Sequence, residues 1–511
     1  MKWVKRVVPF LLGVSSAYGG ELEKKEGVDR LVLAWAESPR TSDPRYAVDA
    51  YSQWLEELLH CSLLGFDPKG KLIPWLAEKW EWKTPTQLLV TLRKDAKFAD
   101  GTLVSAEDVK QTFSYFLRKD LSVPSPRGGA FRGLVKVDTQ GDQVTFHLKE
   151  PDASFLENLA VGVLPTRQIP ASQTMPLDKP LLGCGPYVLQ NQDMTHLVLR
   201  ANPHYSLREK PKMAEVEIKI VKDENTHFSK LLKGEIDMSP KISLDKAKEI
   251  SKSYPTLKVQ KTLGLQTTYL GFNFQDPHLQ KHSVRKAISH AINRDAIIQY
   301  LFHGMAQPAT TLLLSSSPFY QADLKPIGYD LALAKKALDE AGYPQVGDKP
   351  RFSLTYKTTT NATRIAVAKA IASDLKKIGI DVSIQSLEWG SFKAEVDKGN
   401  IQMWSLDWVG FKGPGIYRYV FGSENMPPEG GNRGRYHNDK LDVLLRQAHG
   451  VTDFAEQKKL YDQIQTLVAE ELPYVFLWHE ETYMVLRSEV SGFEVYADGR
   501  YSALPRTTKA R

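Results

Sequence analysis

Apolar positions along the chain alternate between a spacing of two and a spacing of three to four. LLVTLR alternates strictly and predicts a half-buried strand; KFADGT follows, with Asp100-Gly101 as a turn. Ser105-Ala106-Glu107-Asp108 then predicts a helix N-cap with an acid three residues on, ahead of VKQTFSYFL, where Val109, Phe113, Phe116 and Leu117 share one face. Upstream, from about Tyr51 to Leu64, Trp54, Leu55, Leu58 and Leu59 fall at helical spacing. Downstream, DQVTFHL is a second alternating strand, and GCGPYVLQ, THLVLRANPHY and AEVEIKIVKD read as strands interrupted by Gly-Pro and Asn202-Pro203 turns.

The second half repeats this pattern. LQTTYLGFNF predicts a long strand, and SVRKAISHAINRDAIIQYLF reads as one helix through Val284, Ala287, Ile288, Ala291 and Ile292. YDLALAKKALDEAGY is a helix stopped by Gly342. FSLTYKT, then a helix ending at Gly379, then IDVSIQSLEW compose a strand–helix–strand unit. A long helix from Phe454 runs into Pro473 and strand-like sequence. The expected class is α/β with mixed sheets.

At 511 residues the chain holds roughly three to five domain-sized units. Residues 1–19 differ from the rest: Lys2, Lys5 and Arg6 precede an apolar run from Val7 to Val14, and Ala17-Tyr18-Gly19 offers small residues for cleavage. This predicts a signal peptide rather than a membrane anchor, because the run is well short of the ~20 residues that span a bilayer. Its removal takes away three basic and no acidic residues, so the net charge falls from +7 to +4. So mild a charge, without interleaved basic and aromatic positions, excludes a nucleic-acid surface. The two cysteines, Cys61 and Cys184, leave a single disulfide and two free thiols equally open.

Enzyme motifs do not emerge. The twelve histidines form no His-Glu-x-x-His pair, two cysteines make no metal cluster, and no P-loop, dinucleotide fingerprint or Gly-x-Ser-x-Gly elbow occurs. No catalytic residues, metal site or cofactor are expected.

Several stretches, in order, resemble the extracellular solute-binding proteins of ABC importers, in the family that binds oligopeptides, dipeptides and nickel complexes. They include LHCSLLGFDPKGKLIPWLAEKWEW, GCGPYVL, ANPHYSLREKPKMAEVEIKIVKDENTHFSKLLKGEIDM, YLGFNF and LPYVFLWHE, and together span about residues 30 to 480. The resemblance implies a two-lobed periplasmic binding protein fold, hinged by two crossing strands, with cargo sealed between the lobes. One lobe would comprise 20–59, 179–260 and 478–511, with an additional inserted domain over 60–178; the other would cover 261–477. It further implies a monomer in the periplasm that hands peptide or other small-molecule cargo to ABC permease transmembrane subunits powered by a separate ATPase. A nickel chelate, an opine-like compound or an oligosaccharide as cargo, and a sensor docking on a signalling receptor, are the alternatives.

Candidate ligand-binding residues follow from these segments. Gly183, Cys184, Gly185 and Tyr187 stand where the family usually has Gly-Thr-Gly-Pro-Tyr, and are expected either to bring backbone to the cleft or to form a structural turn. In MWSLDWVGFKGPGIYRYVFGS, many peptide-binding relatives place an Asp after Trp-x-Gly to receive the peptide ammonium; here Trp408-Val409-Gly410 is followed by Phe411. A buried ammonium without an acid is costly, so the cargo lacks one there, binds it elsewhere, or uses Asp407. Trp404, Trp408 and Phe411 would then form an apolar wall, with inter-lobe core as the competing reading. Trp389, after a strand end, and Arg433, with Arg435 beside it, complete the set; core packing and solvated loop are the alternatives.

Overall fold

The computed structural model describes residues 29–121, 123–169, 181–240, 242–411, 413–427 and 430–510. The expected signal peptide lies outside them. No described helix is long and apolar enough to cross a membrane.

Local signals explain most elements. Asp49 caps the helix Ala50–Leu59 by accepting from the Ser52 amide. That helix stops short of Leu64, because Cys61 is committed to a disulfide and Leu64–Phe66 forms a short strand against Leu72–Pro74. Ser105 and Asp108 exchange hydrogen bonds in a capping box that starts Ala106–Ser114. The helix expected over 283–302 is instead two, His282–Ala291 and Arg294–Leu301. Asn293 breaks it: its side chain accepts from the Ala296 amide and starts the second helix, a local bond that competes with helix continuation. Hydrophobic spacing runs unbroken across the junction and conceals it.

Two long antiparallel strands, Leu257–Phe272 and Tyr474–Arg487, form the spine. On one side the sheet continues through Met403–Val409 and Phe352–Thr359 to Ile380–Leu387. On the other it runs through Met238–Ser239, Arg30–Trp35, Glu215–Ile220 and His196–Ala201 to Tyr187–Gln192. Parallel and antiparallel pairs mix, and Phe352–Thr359 and Ile380–Leu387 are parallel strands joined by the helix Ala362–Lys376. The two spine strands lose register between Leu263 and Thr267, midway between the two halves.

Each part buries its own core. Leu33, Trp35, Tyr187 and Tyr501 pack in the first lobe; Ile288, Leu354 and Ile371, and separately Trp404, Tyr417 and Ile464, pack in the second. A separate antiparallel sheet, Ala77–Thr84, Gln87–Leu92, Gln143–Leu148 and Leu134–Gln140, covers Val90, Phe113 and Phe146. The Cys61–Cys184 disulfide, with Cα atoms 5.1 Å apart, ties the end of the first helix to the Gly183–Tyr187 segment. Mixed sheets on two sides of a shared spine make this a two-lobed α/β fold.

The inter-lobe cleft as candidate functional site

The lobes touch along one side. The Ala153 amide lies 3.4 Å from the His449 carbonyl, the His449 ring 3.6 Å from the Asp152 carboxylate, and Ser316 donates to the Lys69 carbonyl at 2.9 Å. Gly413 approaches so closely that a Cβ there would overlap the Glu157 carboxylate. Burial lowers the His449 pKa against the pull of Asp152.

Between these contacts lie two adjoining chambers that share Phe66, Ser154, Glu157, Gly413, His449 and Tyr461. The larger, about 1010 Å3, is walled by Trp54, Arg127 and Arg500 on one side and Phe411, Arg418 and Tyr419 on the other. Its arginines are partnered. Arg127 forks onto Glu56 at 3.0 and 2.8 Å, Arg500 meets Asp498 at 2.6 Å and Arg418 meets Glu424 at 2.7 Å. The wall therefore presents balanced charge within a partly apolar surface. The second chamber, about 780 Å3, is walled by Trp80, Trp82, Leu156, Phe319 and Phe454.

Among the ten nominated residues, Phe411 lines the larger chamber. Trp408 stands one layer behind: it is buried, stacks with Tyr269 at 6.0 Å and meets the edge of the cleft residue Tyr419 at 5.8 Å. The Arg433 guanidinium lies 4.5 Å over the Trp408 ring and donates to the Tyr269 hydroxyl at 3.0 Å. Arg433 thus braces the aromatic layer rather than facing a solvated loop. Arg435 donates to the Asp397 and Arg433 carbonyls.

Other nominated residues lie elsewhere. A Cβ on Gly183 would stand 1.8 Å from the Leu59 carbonyl oxygen, and one on Gly185 2.4 Å from the Leu59 carbonyl carbon. These glycines admit the end of the first helix. Cys184 is held in the disulfide, and Tyr187 is buried with its hydroxyl 3.4 Å from the Leu504 carbonyl. Trp404 is fully buried in the second lobe's core, and Trp389 is half-exposed beside Arg364.

Asp407 is excluded from the wall by strand alternation: Trp404, Leu406 and Trp408 point to one face of Met403–Val409, and Asp407 to the other. There it accepts from Thr268 at 2.7 Å and pairs with Arg364 at 3.0 Å. Thr268 also donates to Glu480 at 3.5 Å, at the irregular middle of the spine. Burial, followed by the charge of Asp407, pushes the Glu480 carboxyl up to about 7. Its neighbour His479, hydrogen-bonded to Thr267, is pushed down to about 4 by burial.

Sequence reading missed Glu157, Arg418, Tyr419, His449, Asp498 and Arg500 in the wall. Arg418 and Tyr419 sit eight residues or fewer beyond Phe411, within the segment already singled out. Asp498 and Arg500 come from the distant C-terminal stretch, and no local pattern marks them.

Comparison with known proteins places this geometry. The chain is 27% identical over 512 residues to the oligopeptide-binding protein AppA of Bacillus subtilis, covering 94% of this chain and 92% of that protein. It is 27% identical over 487 residues to the glutathione-binding protein GsiB of Escherichia coli K12, covering 92% and 93%. The AppA structure in complex with a nonapeptide superposes with a TM-score of 0.72 at 26% identity, over 94% of this chain and 99% of that one. NikZ from Campylobacter jejuni in complex with Ni(L-His) shares the fold, with a TM-score of 0.74 at 24% identity over 94% and 99%. Residues 71–426 match the model of the bacterial extracellular solute-binding proteins, family 5, and the chain, a binding protein of ABC importers rather than an enzyme, belongs to that family.

Proposed function

We propose that this protein is the periplasmic receptor of an ABC importer, capturing short peptides between its lobes by hinge closure and delivering them to a membrane permease with a separate ATPase. The observation that carries the reading is the larger chamber between the lobes, whose lining combines paired arginines and acids with aromatic rings. A peptide is itself charge-balanced and carries backbone groups that cost about 1–3 kcal/mol each if buried unpaired. A wall of balanced charge satisfies it better than a purely apolar one. The relatives named for oligopeptide and glutathione binding support the same cargo class. With Phe411 where relatives have an acid, a peptide ammonium would be received on the opposite wall, which supplies Glu157 and Asp498.

Closure follows from linkage: cargo that touches both walls favours the closed state, and the equilibrium shifts by that difference in affinity. Native mass spectrometry of protein purified from its own cell envelope tests the assignment. Co-purifying peptides of a few residues, rebinding in titration, are expected. A co-purifying chelate or sugar, with no peptide binding on titration, would remove the peptide assignment and leave the family intact.

A further inference from the structure

The second chamber is built differently from the first. Trp80 and Trp82 are two residues apart on the strand Ala77–Thr84, so both rings face the same side, while Glu81 and Lys83 pair at 2.7 Å in solvent on the other. Across the gap stand Phe319 and Phe454 of the second lobe, with ring centroids 5.2 Å apart, and Tyr461 behind them. Phe454 opens the helix Phe454–Glu471 and remains 54% exposed. Large rings from two separate parts of the molecule thus converge on a space that neither fills.

At about 780 Å3 the space lies within the ~300–1,000 Å3 range of small-molecule sites. It is far larger than a packing defect, which interiors keep to about the size of a water molecule. Glu157 and His449 stand on the boundary shared with the larger chamber, whereas Lys71, Thr452 and Gln457 line this chamber alone. The shared boundary joins the two chambers, so an occupant of both would turn its apolar end toward the rings.

We propose that this chamber is a separate subsite for a bulky apolar group, aromatic or branched aliphatic, at one end of a cargo whose polar remainder occupies the larger chamber. It rests on the peptide reading only for the identity of that remainder. Because the walls come from both sides of the cleft, filling the subsite also holds the lobes together. Cargo with a large apolar terminal side chain is then preferred over a shorter or polar counterpart.

The test uses the full chain, stripped of co-purifying cargo, and 1-aminoanthracene as a fluorescent probe of the chamber. The probe should bind saturably, and Phe454→Ser and Trp82→Ala should each weaken it about tenfold or more. Tyr300→Ser, on a distant exposed surface, should leave it unchanged. Phe454 is so exposed that its replacement leaves the fold intact; an unchanged melting temperature checks this. Tripeptides Phe-Ala-Ala and Ala-Ala-Phe follow as competitors, and whichever places its ring in the chamber should displace the probe about tenfold better than Ala-Ala-Gly. A probe sensitive to Phe454 and Trp82 that no peptide displaces would keep the subsite and discard the peptide reading. No saturable probe binding, or equal binding by all three variants and the wild type, would overturn the subsite.

Discussion

Glu480 occupies the irregular middle of the two spine strands, beside Asp407, and its replacement by glutamine makes a pH-dependent prediction. An ordinary glutamate titrates near 4.5; this one is pushed up to about 7, chiefly by burial and then by Asp407. The folded protein therefore holds a proton that the unfolded chain has released. Stability from this group is complete below about 4.5 and is lost as pH rises toward 7. At ~1.4 kcal/mol per pH unit, the whole interval is worth about 3 kcal/mol.

His479 acts in the opposite direction. Burial pushes it down to about 4, so its contribution is present above the ordinary histidine range near 6.5 and is lost as pH falls toward 4. Between about 4.5 and 6.5 the two slopes offset each other, and a wild-type profile alone shows neither. The difference between Glu480→Gln and wild type isolates the glutamate. Urea denaturation from pH 4.5 to 8.5 should show the mutant gaining relative stability with pH, by up to about 3 kcal/mol at the alkaline end. A difference that stays constant across this range would refute the buried-carboxyl argument.

Further perturbations probe the junction and the cleft. Gly183→Ala places a methyl against the Leu59 carbonyl and should destabilise by more than about 2 kcal/mol, read by thermal melting; a loss below about 0.5 kcal/mol would show that the helix end yields easily. Phe411→Asp should weaken native-cargo binding in calorimetry about tenfold while improving a free peptide relative to its N-acetylated form. Unchanged affinity and preference would place Phe411 outside the recognition surface.

Elements set by local chemistry were legible in the sequence. The capping box at Ser105 and the Gly379 stop in the parallel strand–helix–strand unit each rest on bonds made within a few residues. The continuous helix over 283–302 failed for the converse reason. Hydrophobic periodicity reports which face is buried, not whether backbone hydrogen bonds continue, and Asn293 changes the second without disturbing the first. The pairing of Cys61 with Cys184 depends on a 123-residue separation being closed by tertiary structure, which spacing does not encode.

The candidate site was harder to read because its chemistry is distributed. Arg127, Arg418 and Arg500 reach one chamber from three remote segments, and each resembles a solvated surface arginine until its acid partner is known. The Asp407 proposal, by contrast, could have been weighed from the sequence by parity alone. If Trp408 backs the cleft wall from one face of a strand, its immediate neighbour must point to the other face. The carboxylate consequently enters the Thr268–Arg364–Glu480 cluster at the spine. The acid closest in sequence to the expected ammonium site is thereby committed to the crossing strands, and the carboxylates that do line the larger chamber, Glu157 and Asp498, come from segments remote from it.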